Sequence, residues 1–210
     1  MNKGLFITVE GTDGSGKSTQ IALMKDYFIK KGRDAVLTRE PGGTIISEKI
    51  RDIILDTSHG EMSPITEALL YASARAQLVH EIIKPSLESG RVVICDRFLD
   101  SSYVYQGFGR GIGIKMIESI NSAALNGIFP DITFFFDMDP EAALKRRMES
   151  TGADRMEKED IDFHKRVYKG YKELCSMFPE RIKPIDANRS IEEISADVTN
   201  WLDRLLRANN

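Results

Sequence analysis

Gly11-Thr12-Asp13-Gly14-Ser15-Gly16-Lys17-Ser18 fits the pattern G-x-x-x-x-G-K-[ST]. It follows a strand-like apolar run, Leu5 to Val9, and precedes a segment with Ile21, Met24 and Phe28 at i, i+3 and i+7, the stripe of an amphipathic helix. A glycine-rich turn between a strand and a helix aims successive backbone N–H groups inward, and the helix N-terminus adds its dipole. The result is an anion cradle in which Gly11 to Ser18, with Thr19 behind them, hold the phosphates of a nucleoside triphosphate such as ATP. Lys17 reaches the β- and γ-phosphates, and Ser18 offers its hydroxyl to Mg²⁺. Taken alone, this loop leaves ATPases, GTPase switches and kinases open.

Further β-rich runs follow at Asp34 to Thr38, Arg91 to Cys95, Ile132 to Phe136 and Ile182 to Ile185, with helical stretches between them. Asp139 followed by Pro140 marks one helix start, and Ser190 with Glu193 forms a capping box at another. The last helix is expected to turn Ile191, Ile194, Val198, Leu202 and Leu205 inward. Strands alternating with helices require right-handed crossovers and helices on both faces. The expected fold is therefore α/β, a doubly wound parallel five-stranded sheet flanked by helices, of the P-loop NTPase type. Its ligands bind at the carboxyl ends of the strands.

The chain has 210 residues, 41% hydrophobic and 29% charged, with no linker-like stretch, so one domain over residues 1–210 is expected. A formal net charge of -3 argues against general nucleic-acid binding, which needs a basic face to replace counterions. Cys95 and Cys175 are too few for a disulfide framework, and neither they nor His59, His80 and His164 show metal-type spacing. The opening apolar run is too short for a signal peptide, and no later run approaches a membrane span. A cytoplasmic protein with no nucleic-acid or membrane partner is expected.

Three segments fall just after expected strands and should converge on the loop: Arg39-Glu40-Pro41-Gly42-Gly43-Thr44, Asp96-Arg97-Phe98-Leu99-Asp100-Ser101-Ser102 and Tyr103-Val104-Tyr105-Gln106-Gly107. Asp96, after an apolar strand, suits Mg²⁺ directly or through water. Arg97 and Arg39 offer guanidinium forks to phosphate oxygens. At these residues, and across nearly the whole length, the chain resembles the thymidylate kinases, with Arg39 to Thr44 closest to the bacterial branch.

The resemblance implies phosphorylation of dTMP to dTDP by ATP with Mg²⁺, feeding dTTP synthesis for DNA replication, by a homodimer. It implies that Arg97 holds the acceptor phosphate and that Asp13 senses the sugar 3′-hydroxyl, where an Asx turn would be the local alternative. Tyr71 and Arg75, four apart on one helix face, would lie against the base and at pyrimidine O4. An arginine only donates, so it suits the carbonyl of thymine and opposes the amino group of cytosine. Gln106 would read the amide edge of the base, Tyr105 would close on the sugar C2′, and Ser102 and Arg51 look like secondary contacts. Many relatives have Phe where this chain has Tyr71.

The run from Gly107 to Gly113 has the wrong spacing for a dinucleotide fingerprint and is expected to be a mobile loop. Residues 145–158, dense in charge around Gly152, are the expected lid, which must exclude water because water is the rival acceptor. An acceptor phosphate is already an anion, so catalysis reduces to positioning and charge stabilisation. In one branch of the family a basic side chain stands where this chain has Gly14. The other branch carries an arginine in the lid, which makes Arg155 the expected transition-state cation and Arg147 the second candidate. The competing readings are a UMP/CMP or deoxynucleoside kinase and, from another class, a nucleotide switch or binding module. The chain has no Asn-Lys-x-Asp guanine motif, which counts against a GTPase.

Overall fold

A computed structural model describes residues 4–148 and 154–208. Five strands, β1 (Leu5–Glu10), β2 (Ala35–Arg39), β3 (Val92–Asp96), β4 (Ile132–Asp137) and β5 (Ile182–Asp186), form one parallel sheet in the order β2-β3-β1-β4-β5. Ile7 of central β1 pairs with Ile94 on one side and Ile132 on the other. Every residue of β1 is buried, as expected where helices cover both faces, whereas the outer strand β2 is buried only in part. β5 pairs only with β4, and Pro184, which has no N–H to donate, is tolerated in that edge strand.

Nine α-helices complete the described chain: α1 (Lys17–Lys30), α2 (Ile45–Leu55), α3 (Pro64–Leu78), α4 (Lys84–Glu88), α5 (Leu99–Ser102), α6 (Ile114–Leu125), α7 (Pro140–Met148), α8 (Ile161–Met177) and α9 (Ile191–Ala208). Alternation along the strands divides the core into two clusters. Leu5, Ile7, Val9, Ile94, Phe134 and Phe136 meet α1 and α9 on one face. Phe6, Val93, Cys95 and Phe135 meet α3, α6 and α8 on the other. The α1 stripe of Ile21, Met24 and Phe28 is buried as its spacing predicts, and full burial of such a side chain contributes about 1.5–3 kcal/mol.

Local signals hold at several ends. Asp139 Oδ1 accepts from the N–H groups of Glu141 and Ala142 at the start of α7. Ser190 and Glu193 form the reciprocal box of α9, with Ser190 N–H to Glu193 Oε2 at 2.9 Å and Glu193 N–H to Ser190 Oγ at 3.2 Å. Ile194, Val198 and Leu202 face the core, but Ile191 is 51% exposed. The stripe has the right angle; Ile191 is its first residue and lies outside the core cluster.

Two π-helical stretches, Val79–Ile83 and Tyr103–Gly109, extend α3 and α5. The second corrects the expected mobile loop: Gly107 to Gly109 are helical, and Arg110 is held by Glu67 and Glu159. Of the expected lid, residues 149–153 lie outside the described residues, as does the side chain of Arg147.

Candidate active site

β1 ends at Glu10 and the chain turns through residues 11–16 into α1. Gly16, the N-cap of α1, sits at φ 88° and, having no side chain, offers no side-chain cap. By contrast α2, α3 and α8 are capped by Thr44, Ser63 and Asp160. The first N–H groups of α1 are thus left for an anion. A Cβ at Gly11 would approach the Phe136 carbonyl oxygen to 2.8 Å, which is why that position takes no side chain. The hydroxyls of Thr12 and Ser15 are buried without a protein partner.

Lys17 does not project into solvent. Its ammonium curls back over the loop and donates to Gly11 O (3.1 Å), Thr12 O (3.0 Å) and Asp13 Oδ1 (3.3 Å). Asp13 also accepts from Arg97 Nη2 at 2.9 Å. Burial pushes the Asp13 carboxyl up, but Arg97 and Lys17 outweigh it and hold the group well below the usual carboxylate range. Arg97 also donates to Ser101 Oγ (3.2 Å) and lies 5.2 Å from the centre of the Tyr105 ring.

Arg97 has φ 67°, a costly conformation for a residue with a Cβ. The carboxylate of Glu10 braces this turn: it accepts from Phe98 N–H (2.8 Å), Ser101 N–H (3.3 Å), Ser101 Oγ (2.5 Å) and Tyr171 Oη (2.8 Å). Burial, with Asp100 nearby, raises Glu10 to about 7.

Beside this network is a cavity of about 180 Å³. It is lined by Asp13, Arg39, Arg51, Tyr71, Arg75, Asp96, Arg97, Ser102, Tyr105 and Gln106, every residue expected at the acceptor together with the expected metal-binding carboxylate. The π-helical stretch helps to bring them together, because Ser101 and Ser102 of α5 and Tyr105 and Gln106 of the widened turns all reach the same space. Arg39 pairs with Glu48 at 2.8 Å, and Arg51 donates to Pro41 O at 2.9 Å.

Arg75 lines this cavity but is not a free donor. Nε meets Glu40 Oε1 and Oε2 at 3.2 and 2.9 Å, and Nη2 meets Glu40 Oε2 at 2.5 Å and Phe98 O at 3.0 Å. Nη1 meets Ser102 Oγ at 3.1 Å and Asn121 Oδ1. All five N–H groups of a guanidinium thereby have protein acceptors. Burial pushes the Glu40 carboxyl up to about 7 against the opposing pull of Arg75.

An outer groove joins Ser18, Thr38, Arg39, Glu48 and Asp96. In it Asp96 Oδ1 and Thr38 Oγ1 are buried without partners. Among the described residues no group of three or more His, Cys, Asp or Glu side chains gathers into a metal cage. One carboxylate, one hydroxyl and open space are what a phosphate-bridging Mg²⁺ requires of a protein.

Arg155 is placed differently from the expected lid cation. It is 9% exposed, donates through Nε to Ile54 O at 2.7 Å and through Nη2 to Glu67 Oε2 at 2.8 Å, and does not line the cavity. Two protein acceptors hold it as a clamp between the end of α2 and α3. Glu10, Glu67 and Asn121 complete the site. Glu10 carried the same signal as Asp96, a carboxylate closing an apolar strand. Glu67 stands four before Tyr71 and eight before Arg75 on α3, so it shares their face. Asn121 gave no signal.

Residues 9–198 match the family described as Thymidylate kinase. A thymidylate kinase of an Exiguobacterium species is 49% identical over 203 residues, covering 96% of each chain. That of Finegoldia magna is 52% identical over 200 residues, 95% of this chain and 98% of the relative. The crystal structure of thymidylate kinase from Ehrlichia chaffeensis superposes with a TM-score of 0.78 at 33% identity, covering 96% of this chain and 99% of the other.

Proposed function

The chain belongs to the thymidylate kinase family and phosphorylates dTMP to dTDP at the expense of ATP, and we propose the following division of labour among its residues. The observation that carries it is the one cavity beside the phosphate loop in which Arg97, Arg39, Asp13, Tyr71, Arg75, Tyr105 and Gln106 meet.

Gly11 to Thr19 cradle the ATP phosphates, which take over the Lys17 ammonium from the carbonyl oxygens it now holds. Arg97, fixed in its strained turn by Glu10, binds the acceptor phosphate, with Arg39 beside it and Arg51 and Ser102 as secondary contacts. Asp13 faces the sugar 3′-hydroxyl, Tyr71 stacks on the base, and the Tyr105 ring occupies the space a ribo-hydroxyl would need. Gln106 reads the amide edge of the base and Arg75 its O4, sharing a hydrogen that Ser102 or Asn121 now accepts.

Among the described residues no histidine lines the cavity. An acceptor phosphate needs no base, and Lys17 and Arg97 supply the positive charge that opposes charge developing in transfer. Mg²⁺ is the divalent ion this reading requires, at Ser18 and Asp96, and the unpartnered Asp96 Oδ1 supports it. When bound there, it would neutralise part of the charge on the phosphates. Residues 145–158 act as the lid, with Arg155 anchoring its far end.

The functional unit is a homodimer, supported by exposed Ile46 and Ile53 on α2, Ile65 and Leu69 on α3 and Met116 on α6, three helices that pack side by side. No helix among the described residues is long and apolar enough to cross a membrane. A cytoplasmic location, where ATP is met, completes the reading.

ADP release measured in parallel with dTMP, dUMP, dCMP, UMP and thymidine tests it. dTMP should be strongly preferred; equal use of UMP or dCMP would displace the base assignments. One methyl group supports only about 1–3 kcal/mol of discrimination, so dUMP should be a poor substrate and not an excluded one.

A further inference from the structure

Glu67 lies wholly inside the protein, 1% exposed, and its two carboxylate oxygens accept four hydrogen bonds. Oε1 takes Gln106 Nε2 at 2.9 Å and Arg110 Nε at 3.2 Å. Oε2 takes Arg110 Nη2 at 2.9 Å and Arg155 Nη2 at 2.8 Å. Two guanidinium groups on one carboxylate keep it ionised, and an ionised carboxylate can only accept. Burial works against that charge, but the donated hydrogen bonds of Arg110 and Gln106 hold the group below the usual carboxylate range.

Gln106 is itself 1% exposed and lines the nucleotide cavity. A glutamine amide has a donor end and an acceptor end of nearly equal size, so shape alone does not choose between its two orientations. Here the neighbour chooses. Turning the amide over would bring Gln106 Oε1 against Glu67 Oε1 with no proton between them, while the other donors of that carboxylate are fixed on guanidinium planes.

We propose that Glu67 is a specificity-determining positioning residue, which locks the Gln106 amide with its donor side turned away and its acceptor Oε1 left for the nucleobase. This rests on the reading that Gln106 meets the base. Thymine and uracil carry a hydrogen on N3, which a fixed acceptor receives. Cytosine presents a bare N3 lone pair, which a fixed acceptor repels. Discrimination against cytosine then has two separate sources: Arg75 at the 4-substituent, and at N3 the pair Glu67–Gln106. Neither Arg110 nor Arg155 needs to approach substrate to take part, since each acts by keeping Glu67 charged.

The test compares kcat and KM for dTMP and dCMP in wild type, Glu67→Gln and Gln106→Leu. In Glu67→Gln the new amide is able to donate to Gln106 Oε1, freeing it to turn its N–H group to cytosine N3. The dTMP/dCMP ratio of kcat/KM is expected to fall about tenfold or more, through a raised KM for dTMP and a lowered KM for dCMP with kcat for dTMP nearly kept. A Glu67→Gln enzyme that loses kcat equally on both nucleotides, with an unchanged ratio, overturns the proposal. If Gln106→Leu collapses the ratio in that case, Gln106 still reads the base but Glu67 does not orient it. If Gln106→Leu leaves the ratio unchanged, the base contact itself fails and the proposal falls with it.

Should Glu67→Gln not fold, the wild-type enzyme decides. The side-chain amide signal of Gln106 in a ¹H–¹⁵N spectrum, assigned by its loss in Gln106→Leu, should be protected from solvent exchange with and without dTMP. Rapid exchange in either state overturns the lock.

Discussion

Arg75 on α3 grips the carboxylate of Glu40 through Nε and Nη2, and neither side chain of the pair is more than 3% exposed. The contact fastens the end of β2 to the helix that carries Tyr71. Removing one partner of a buried pair costs about 3–5 kcal/mol because the other charge is stranded. Arg75→Ala should therefore lower both the dTMP/dCMP ratio and the urea midpoint. Adding Glu40→Gln should recover stability without recovering the ratio. Recovery of both would mean that Arg75 only shapes the pocket.

Lys17→Ala removes a cation whose three present acceptors all belong to the phosphate loop. Asp13 keeps Arg97 in the variant, so stability should change by less than about 1 kcal/mol. kcat should fall by about 10²–10³ or more, as when a donor to developing charge is lost. Near-normal turnover in the folded variant would sink the assignment of the loop.

Glu10 makes stability depend on pH. Its carboxyl rises from an ordinary 4.5 to about 7 in the folded protein, mainly through burial and then through Asp100. Between those values the folded state binds the extra proton, so this contribution is fully present below about 4.5 and is lost as pH rises through 7. The difference amounts to about 3 kcal/mol in order of magnitude. Glu10→Gln has no such loss. Urea midpoints at pH 5 and pH 8 should show the variant gaining on wild type at the higher pH; a gain at the lower pH would reverse the argument.

Arg155→Ala is expected to act on folding more than on the chemical step. It strips a donor from Ile54 O and one of two guanidinium partners from Glu67, a loss of about 2–3 kcal/mol. In variant kept folded at low temperature, kcat should fall less than about tenfold. A hundredfold loss of kcat with KM unchanged would instead return the transition-state role to this residue.

Leu69 is 49% exposed on α3, so Leu69→Glu should leave the fold intact and change the assembly. Light scattering on the eluting protein should read two chains for wild type and one for the variant. An unchanged mass moves the dimer contact elsewhere or removes it.

The parallel sheet was legible because its strands are continuous apolar runs and its first turn is a motif with one structural context. Positions after strands were legible for the same reason: Asp96, Arg97 and Arg39 follow from where parallel strands end. What stayed hidden was the partner of each buried charge. Gln106 is 39 residues from Glu67, and Arg155 is 88 residues from it, and no periodicity spans such intervals. Arg155 shows the consequence, since a motif gives the residue but not the direction of its side chain. The direction of Lys17 was equally hidden, its ammonium being folded inward by carbonyl oxygens of the same loop.

The π-helical stretch from Tyr103 to Gly109 bears on which changes of length the chain tolerates. A π turn is an α turn with one residue too many, so deleting one residue from 103–109 would let the helix relax to ordinary winding while the segments on either side keep nearly their present orientation. Ser101 and Ser102 would stay at the cavity, but the side chains inside the stretch, those of Tyr105 and Gln106 among them, would take new angles around the helix. Substitutions within this stretch alter recognition one contact at a time, whereas a single codon lost there would move several lining side chains in one step. Drift in length should therefore be confined to the turn at residues 110–113, which joins this stretch to α6.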